Sequence, residues 1–404
     1  MRILVVTQYF YPETFRINDI VSELVRRKHT VTVLTGLPNY PEGEVYTGYE
    51  NSYKTISYYC GATVIRCKLR ARKKGAINLA INYISFVLQA KKTLKRIKPD
   101  FDIIFFYELS PITSGIPAIW YGRKNSISLV MYNLDIWPES VRDSQNGSIM
   151  SKKNPIFGIA KALSFYVYHH FDLIINKCED FGNYLSKELS IPKERMVTLP
   201  EHAEDTYLSV NETPLENGVV DYMFLGNIGK SQNCDQIVNA FARVKTNNKI
   251  RLHFVGDGSY LQSLENLVHN LNMDDQIVFH GRKTISETVG LYNLADVCLL
   301  TLSNKTDSGL TPPGKLFSYM AACRPIIASI NGSAKSIISK SGCGLVCNAD
   351  DINGLSKLMQ MVAEDPCLIE EMGRKGRLFF LNNYTINRYV DALEKNFERI
   401  GGMK

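Results

Sequence analysis

Apolar residues along this chain follow two alternating rhythms. Short runs such as "RILVVTQ", "TVTVLT", "ATVIRCKL", "FDIIFFYE", "ISLVMYNL" and "LIINK" have the length of buried strands. Between them, 17–27, 76–97 and 155–170 repeat their apolar positions at helical spacing. Around 205–219, "DTYLSVNETPLENGV" loses both rhythms and gains polar and turn residues, which reads as a linker. The alternation then restarts with "VDYMFLG", "RLHFVG", "QIVFHG", "VCLLTL", "PIIAS" and "GLVC", separated by helical patterns at 233–246, 259–271, 285–294, 314–322 and 333–340. Strand and helix in turn build a parallel sheet covered on both faces, with right-handed crossovers. The pattern predicts an α/β chain of two doubly wound, Rossmann-like domains: 1–204, a linker at 205–219, 220–380, and a closing helical segment at 381–404 expected to return to the first domain.

At 404 residues and 45.7 kDa the chain suits two domains better than one core. The start "MRILVVTQYF" reads as a core strand, not a signal peptide. The longest apolar stretch, "AINLAINYISFVLQA", is interrupted by Asn78, Asn82 and Gln89 and is too short to span a bilayer, so a soluble or peripheral protein is expected. Nine cysteines lack metal-ligand spacing, which points to reduced core thiols in a cytosolic protein. Asp100 and Asp102 form an Asp-x-Asp but precede their strand, at the wrong end of a sheet for ligand chemistry.

The net charge of +7 is uneven. Between Asn51 and Pro99 the basic residues are Lys54, Arg66, Lys68, Arg70, Arg72, Lys73, Lys74, Lys91, Lys92, Lys95, Arg96 and Lys98, with no acid among them. A one-sign face of this kind either solubilises or attracts phosphate-rich surfaces. No nucleic-acid motif accompanies it.

Ligands of open parallel sheets bind outside the strand C-termini, so two such domains would face a common cleft suited to a transfer reaction. The first strand-to-helix turn, "TQYFYPETFRINDI", carries aromatics, a proline and an arginine and no glycine. Without a G-x-G-x-x-G there, a dinucleotide oxidoreductase is disfavoured.

The stretches "FYPETFRINDIVSELVRRKHTVTVLTGLPNYPEG", "LDIWPES", "FLGNIGKSQN", "FVGDGSYLQSLENLV", "VFHGRKTISE", "LYNLADVCLLTL" and "GKLFSYMAACRPIIASINGSAKSII" together resemble glycosyltransferase family 4. They look most like bacterial enzymes that add N-acetyl-L-fucosamine or related sugars to O-antigen and capsule repeat units. The resemblance implies a GT-B fold, a nucleotide-sugar donor held mainly by the second domain, an acceptor held by the first, and metal-independent transfer with retention of configuration.

Such a reaction needs cations and N–H donors aimed at the departing diphosphate. In the donor loop, "SGLTPPGKLFSYMAACRPIIAS", family members typically carry two glutamates eight positions apart; here those positions hold Leu310 and Ser318. Thr311, Pro313, Gly314 and Lys315 stand where a helix begins, and Lys315 with the local amides is assigned to the diphosphate. In the "FLGNIGKSQN" turn, Asn227 and Gln232 occupy places where the family often has a basic pair, with Lys230 between them. Arg282 is a further donor candidate. Arg16, opening the first helix, is expected to put a guanidinium on the diphosphate. Asp135 is the expected base or orienter at the acceptor hydroxyl, and Tyr9, Tyr11, Asn39, Tyr40 and Glu139 would line the acceptor.

These readings converge on a cytoplasmic transferase at the inner membrane face, needing no metal or other cofactor. It would use a UDP-linked N-acetylated 6-deoxyhexosamine and a polyprenyl-diphosphate-linked saccharide, and dock on anionic lipid through residues 66–98. The alternatives are a sugar-nucleotide epimerase or hydrolase on the same fold, which would consume donor without an acceptor, and a non-catalytic partner subunit, which the absence of the two glutamates permits.

Overall fold

The central strands of both sheets are the longest apolar runs, as burial on both faces requires. The structure, a computed structural model, describes residues 1–73, 75–139, 155–303 and 312–402. It divides into two units, Met1–Pro200 with Tyr389–Lys404, and Glu201–Arg388.

In the first unit the strands are β1 (Arg2–Val6), β2 (Thr30–Gly36), β3 (Ile56–Tyr59), β4 (Ala62–Cys67), β5 (Ile103–Glu108), β6 (Ser128–Asn133), β7 (Leu173–Asn176) and β8 (Met196–Thr198). They form one sheet in the order β3-β4-β2-β1-β5-β6-β7-β8, parallel except for β3 against β4. The helices are α1 (Ile17–Arg26), α2 (Ala76–Leu94), α3 (Ile116–Asn125), α4 (Pro155–His170) and α5 (Glu179–Leu189). The antiparallel β3, unforeseen in the sequence, turns on Cys60 and Gly61, both at positive φ (48° and 91°). Two successive left-handed residues match the twist of a tight hairpin. Helix α3 was also missed, because Pro117 and Gly122 break its pattern. Pro117 lies in the first turn, where its missing N–H is harmless, and Gly122 has no room for a Cβ against Leu129.

The second unit has β9 (Val219–Leu225), β10 (Lys249–Val255), β11 (Ile277–Phe279), β12 (Val297–Thr301), β13 (Ile326–Ser329) and β14 (Gly344–Cys347), in the order β11-β10-β9-β12-β13-β14, all parallel. Around it lie α6 (Cys234–Phe241), α7 (Leu261–Asn270), α8 (Ile285–Leu294), α9 (Gly314–Ala321), α10 (Gly332–Ser341), α11 (Ile352–Glu364) and α12 (Pro366–Asn383).

The stretch 205–219, expected as a linker, is part of this second unit. Tyr207 and Val210 are buried in its core, and the guanidiniums of Arg324 and Arg377 donate to the carbonyls of Val210, Asn211 and Glu212. Two apolar anchors and buried arginines outweigh the segment's polar composition.

The last helix, α13 (Ile386–Gly401), packs on the first unit through Tyr389, Val390, Leu393, Phe397 and Ile400. Arg27, after α1, donates to Glu23, Asp391 and Glu394, and His29 meets Glu394 at 2.6 Å. Asp100 and Asp102 accept from Arg2, which accounts for both acids without a metal. Among the described residues no helix is long and apolar enough to cross a membrane.

Candidate functional site

In the second unit, three adjacent strands end in glycines that let their turns stack. Gly226 follows β9, Gly256 follows β10 and Gly281 lies beyond β11; the N–H of Gly226 donates to Val255 and that of Gly256 to Gly281. Gly226 has φ +144°, open only to glycine, and a Cβ on Gly256 would strike the Gly226 carbonyl. At the end of β9 the missing Cβ of Gly226 leaves room for one group.

Lys315 fills it. From the first turn of α9 its Nζ lies 3.8 Å from the centre of the Phe224 ring and donates to Gln232 Oε1 at 2.7 Å. A Cβ on Gly226 would come within 2.9 Å of this nitrogen. An aromatic face and a neutral amide hold the amine, and burial pushes its pKa down to about 7. Gln232 thus contributes by holding the cation of Lys315, which arrives from 83 residues away, at one of the places where a basic pair was looked for.

Pro313 caps α9 in an extended conformation and Gly314 is its first residue, so the amides of the first turn open beside Lys315. Ser318, one turn on, is buried, and its hydroxyl donates to Glu204 Oε2 at 3.3 Å. Glu204 was missed because the sequence reading ended the first domain on it, whereas it belongs to the second unit and meets a partner 114 residues on. Asn227 and Lys230 are exposed on the β9–α6 connection, and Arg282 is exposed just after Gly281. Leu310 and Thr311 lie outside the described residues.

In the first unit, the turn after β1 is tied down by an acid that the sequence reading passed over. Glu13, buried, accepts N–H bonds from Asn39 and Tyr40 (both 2.8 Å) and Phe10 (3.2 Å), and burial pushes its pKa up to about 7 against these bonds. The side chain of Asn39 is fully buried and committed, accepting from Arg72 N–H and donating to the Leu37 carbonyl. That corrects its expected acceptor role: Asn39 is a loop staple. Tyr9 is also buried, packed with Phe15 and Tyr40, and shapes the surface from beneath. Tyr11 and Tyr40 are the exposed members; Tyr11 stacks on Tyr59, and Tyr40 lies under the Arg72 guanidinium at 5.4 Å. Arg16 is the half-buried N-cap of α1. Arg66, counted with the basic face, is instead buried, its guanidinium donating to the carbonyls of Gly36 and Tyr11.

Asp135 follows β6 at the C-terminal edge of the sheet and is half-buried. Its N–H donates to Glu108 Oε2 at 3.1 Å, and its carbonyl accepts from the Tyr168 hydroxyl at 3.2 Å. Glu139 is half-buried, with Oε2 lacking a hydrogen-bond partner among the described residues. Among those residues no group of three His, Cys, Asp or Glu side chains is placed to hold a metal ion, and none of the nine cysteines forms a disulfide.

Known proteins share parts of this chain. Residues 210–379 match the family model described as "Glycosyl transferases group 1". A "Probable glycosyltransferase WbjE" of Pseudomonas aeruginosa is 26% identical over 273 residues, covering 65% of this chain and 65% of that protein, just under two thirds of each. Sucrose-phosphate synthase from Thermosynechococcus elongatus superposes with a TM-score of 0.77 at 15% identity over 100% of both chains. Anabaena Alr3699/HepE, solved in complex with UDP, gives 0.72 at 10% identity over 99% of this chain and 100% of that one. The chain therefore has the GT-B fold, and within it residues 210–379 match the Glycosyl transferases group 1 model.

Proposed function

We propose that the protein is a retaining glycosyltransferase that moves a sugar from a nucleotide donor to a lipid-linked saccharide in surface-polysaccharide assembly. The observation that carries this reading is the Lys315 amine, set at the glycine-lined end of β9 beside the first amides of α9. In glycosyl transfer the bond from sugar C1 to the diphosphate oxygen breaks as charge builds on the leaving group, and an amine plus helix-end N–H groups meet that charge without a metal. Lys230, Arg282 and Asn227 are proposed as further polar contacts on the second unit. Ser318 and Glu204 offer a hydroxyl and a carboxylate to the donor's own hydroxyls.

On the first unit, Asp135 takes or orients the proton of the acceptor hydroxyl, and Tyr11, Tyr40 and Glu139 are proposed as acceptor contacts. A UDP-linked N-acetylated 6-deoxyhexosamine is the proposed donor; a neighbour in fold was solved with UDP, which supports testing that nucleotide first. Docking on the inner membrane face is proposed for α2, whose Ile77, Ile84 and Leu88 are exposed ahead of exposed Lys92, Lys95, Arg96 and Lys98.

The test is to incubate the protein with UDP-sugars and a polyprenyl-diphosphate saccharide fraction and follow the sugar. Its appearance in the lipid fraction, with UDP released, is the expected result. Donor consumption without acceptor would instead identify a hydrolase or epimerase. Failure to bind any nucleotide would identify a non-catalytic subunit.

A further inference from the structure

The C-terminal ends of β5, β6 and β7 carry a buried polar row. Glu108 pairs in register with Asn133, and Asn133 with Asn176, and all three side chains are buried. Asn133 Nδ2 donates to Asn176 Oδ1 at 3.0 Å, and the fully buried Tyr168 hydroxyl donates to Asn133 Oδ1 at 3.1 Å. Burying an acid at the end of this row is costly unless its oxygens are filled. Those of Glu108 are: Oε1 accepts the Ser110 N–H at 3.0 Å, and Oε2 accepts those of Leu134 at 3.3 Å and Asp135 at 3.1 Å. Two of the three donors belong to the segment that presents Asp135.

We infer that Glu108 is the positioning residue for Asp135, its carboxyl fixing the Leu134–Asp135 backbone and forming with Asp135 a two-carboxyl pair whose protonation is shared. This rests on the reading of Asp135 as the group at the acceptor hydroxyl. Burial and the neighbouring charge favour a proton on one of the two carboxyls. Burial first, and the Asp135 charge second, hold the Glu108 carboxyl well above the usual carboxylate range, against its three backbone donors. From α4, Tyr168 faces both carboxyls, with Glu139 also acting on it. From α2, Tyr83 faces both, is hydrogen-bonded to Ser110, and lies in the field of Arg72. The charged groups named around the pair are thus one further acid, Glu139, and a single guanidinium, that of Arg72, and two neighbouring carboxyls do not both ionise readily in such a setting.

The test is a carboxyl-carbon NMR titration of the full chain, labelled first at aspartate and then at glutamate side chains. The Asp135 signal is assigned by its loss in Asp135→Asn. In Asp135→Asn the Glu108 midpoint should fall by about one pH unit, the scale of a coupled pair, because the Asp135 charge is the second cause of its rise. Glu108→Gln assigns the Glu108 signal by its loss, and if Asp135→Asn does not fold, Asp135→Ser serves in its place. An unmoved Glu108 midpoint would overturn the pairing. The titration needs no substrate, so it is separable from the transferase reading. If Asp135→Asn leaves sugar transfer intact while the midpoints are coupled, the pair exists and the role assigned to Asp135 is wrong.

Discussion

Substituting Gly226 by alanine places a methyl group 2.9 Å from Lys315 Nζ and 3.1 Å from its Cε. Both distances are below ordinary contact, and the amine is the movable end of a flexible side chain, so Lys315 moves. It leaves its seat over Phe224 and its bond to Gln232. Alanine must also hold φ +144°, a conformation almost confined to glycine, at about 1–3 kcal/mol. In a unit of this size that lowers the melting midpoint by roughly 3–10 °C. Losing a charged hydrogen bond to phosphate is worth about 1.5–3 kcal/mol, or about 10- to 150-fold in Kd.

Lys315→Ala should therefore weaken UDP binding by that factor, and Gly226→Ala should lose a large share of it, both read by titration calorimetry. The double variant separates contact from strain. In the Lys315→Ala background, Gly226→Ala should still lower the melting midpoint, because the backbone strain remains, yet leave UDP affinity unchanged, because the displaced amine is already gone. Equal losses of affinity in both backgrounds would refute the steric argument. UDP affinity within twofold of the native protein in Lys315→Ala would remove Lys315 from the diphosphate site.

The same amine predicts proton linkage. With its pKa at about 7 it is mostly neutral at pH 8, and binding a diphosphate should draw in close to one proton there, seen as a dependence of calorimetric heat on buffer and abolished in Lys315→Ala. Glu13 predicts a stability slope: its folded pKa of about 7 lies above the ordinary 4.5, so the stabilisation present below pH 4.5 is lost as pH rises through 7, ~3 kcal/mol in all. Thermal unfolding of the first unit should drop over that window, and Glu13→Gln should flatten the slope. Arg27→Ala removes the guanidinium shared by Glu23, Asp391 and Glu394 and should lower urea stability by about 1–2 kcal/mol, less at high salt. Reversing Lys92, Lys95 and Lys98 to glutamate should abolish sedimentation with phosphatidylglycerol vesicles and leave melting unchanged; retained binding would dismiss the membrane face.

Which features were legible in the sequence follows from the range over which each is encoded. The central strands are buried on both faces, so β1, β5, β6 and β12 are unbroken apolar runs that nothing else in a globular chain resembles. Strand β3 escaped because half its side chains face solvent and its turn to β4 is Cys60-Gly61, not a common turn pair. Glu108 was visible as the last letter of "FDIIFFYE", but a buried acid and a surface acid at a strand end are spelled alike. Only the convergence of three N–H groups from two later loops tells them apart. Glu13 and Glu204 escaped for the same reason, since two of the three donors to Glu13 lie 26 and 27 residues away and the partner of Glu204 lies 114 away.

The pairing of Lys315 with Gln232 shows how two local departures from a pattern are one physical solution. Read along the chain, a glutamine replaces a cation at one turn and a lysine appears unbidden at another. In space they are a donor and its acceptor, 2.7 Å apart. A guanidinium at position 232 would be charged at every accessible pH. The amine that replaces it lies on an aromatic ring at the end of β9, in a recess that only a glycine at 226 leaves open, and titrates near neutrality. Such a group is held at low electrostatic cost while no anion is bound and reaches full charge when one arrives. The gain from binding is then largest for the ligand with the most negative charge at that point. By this logic a nucleoside diphosphate should bind more tightly than its monophosphate, by a margin that shrinks in Lys315→Ala, and calorimetry with UDP against UMP reads that margin directly. An unchanged margin would mean that the terminal phosphate is recognised elsewhere on the chain.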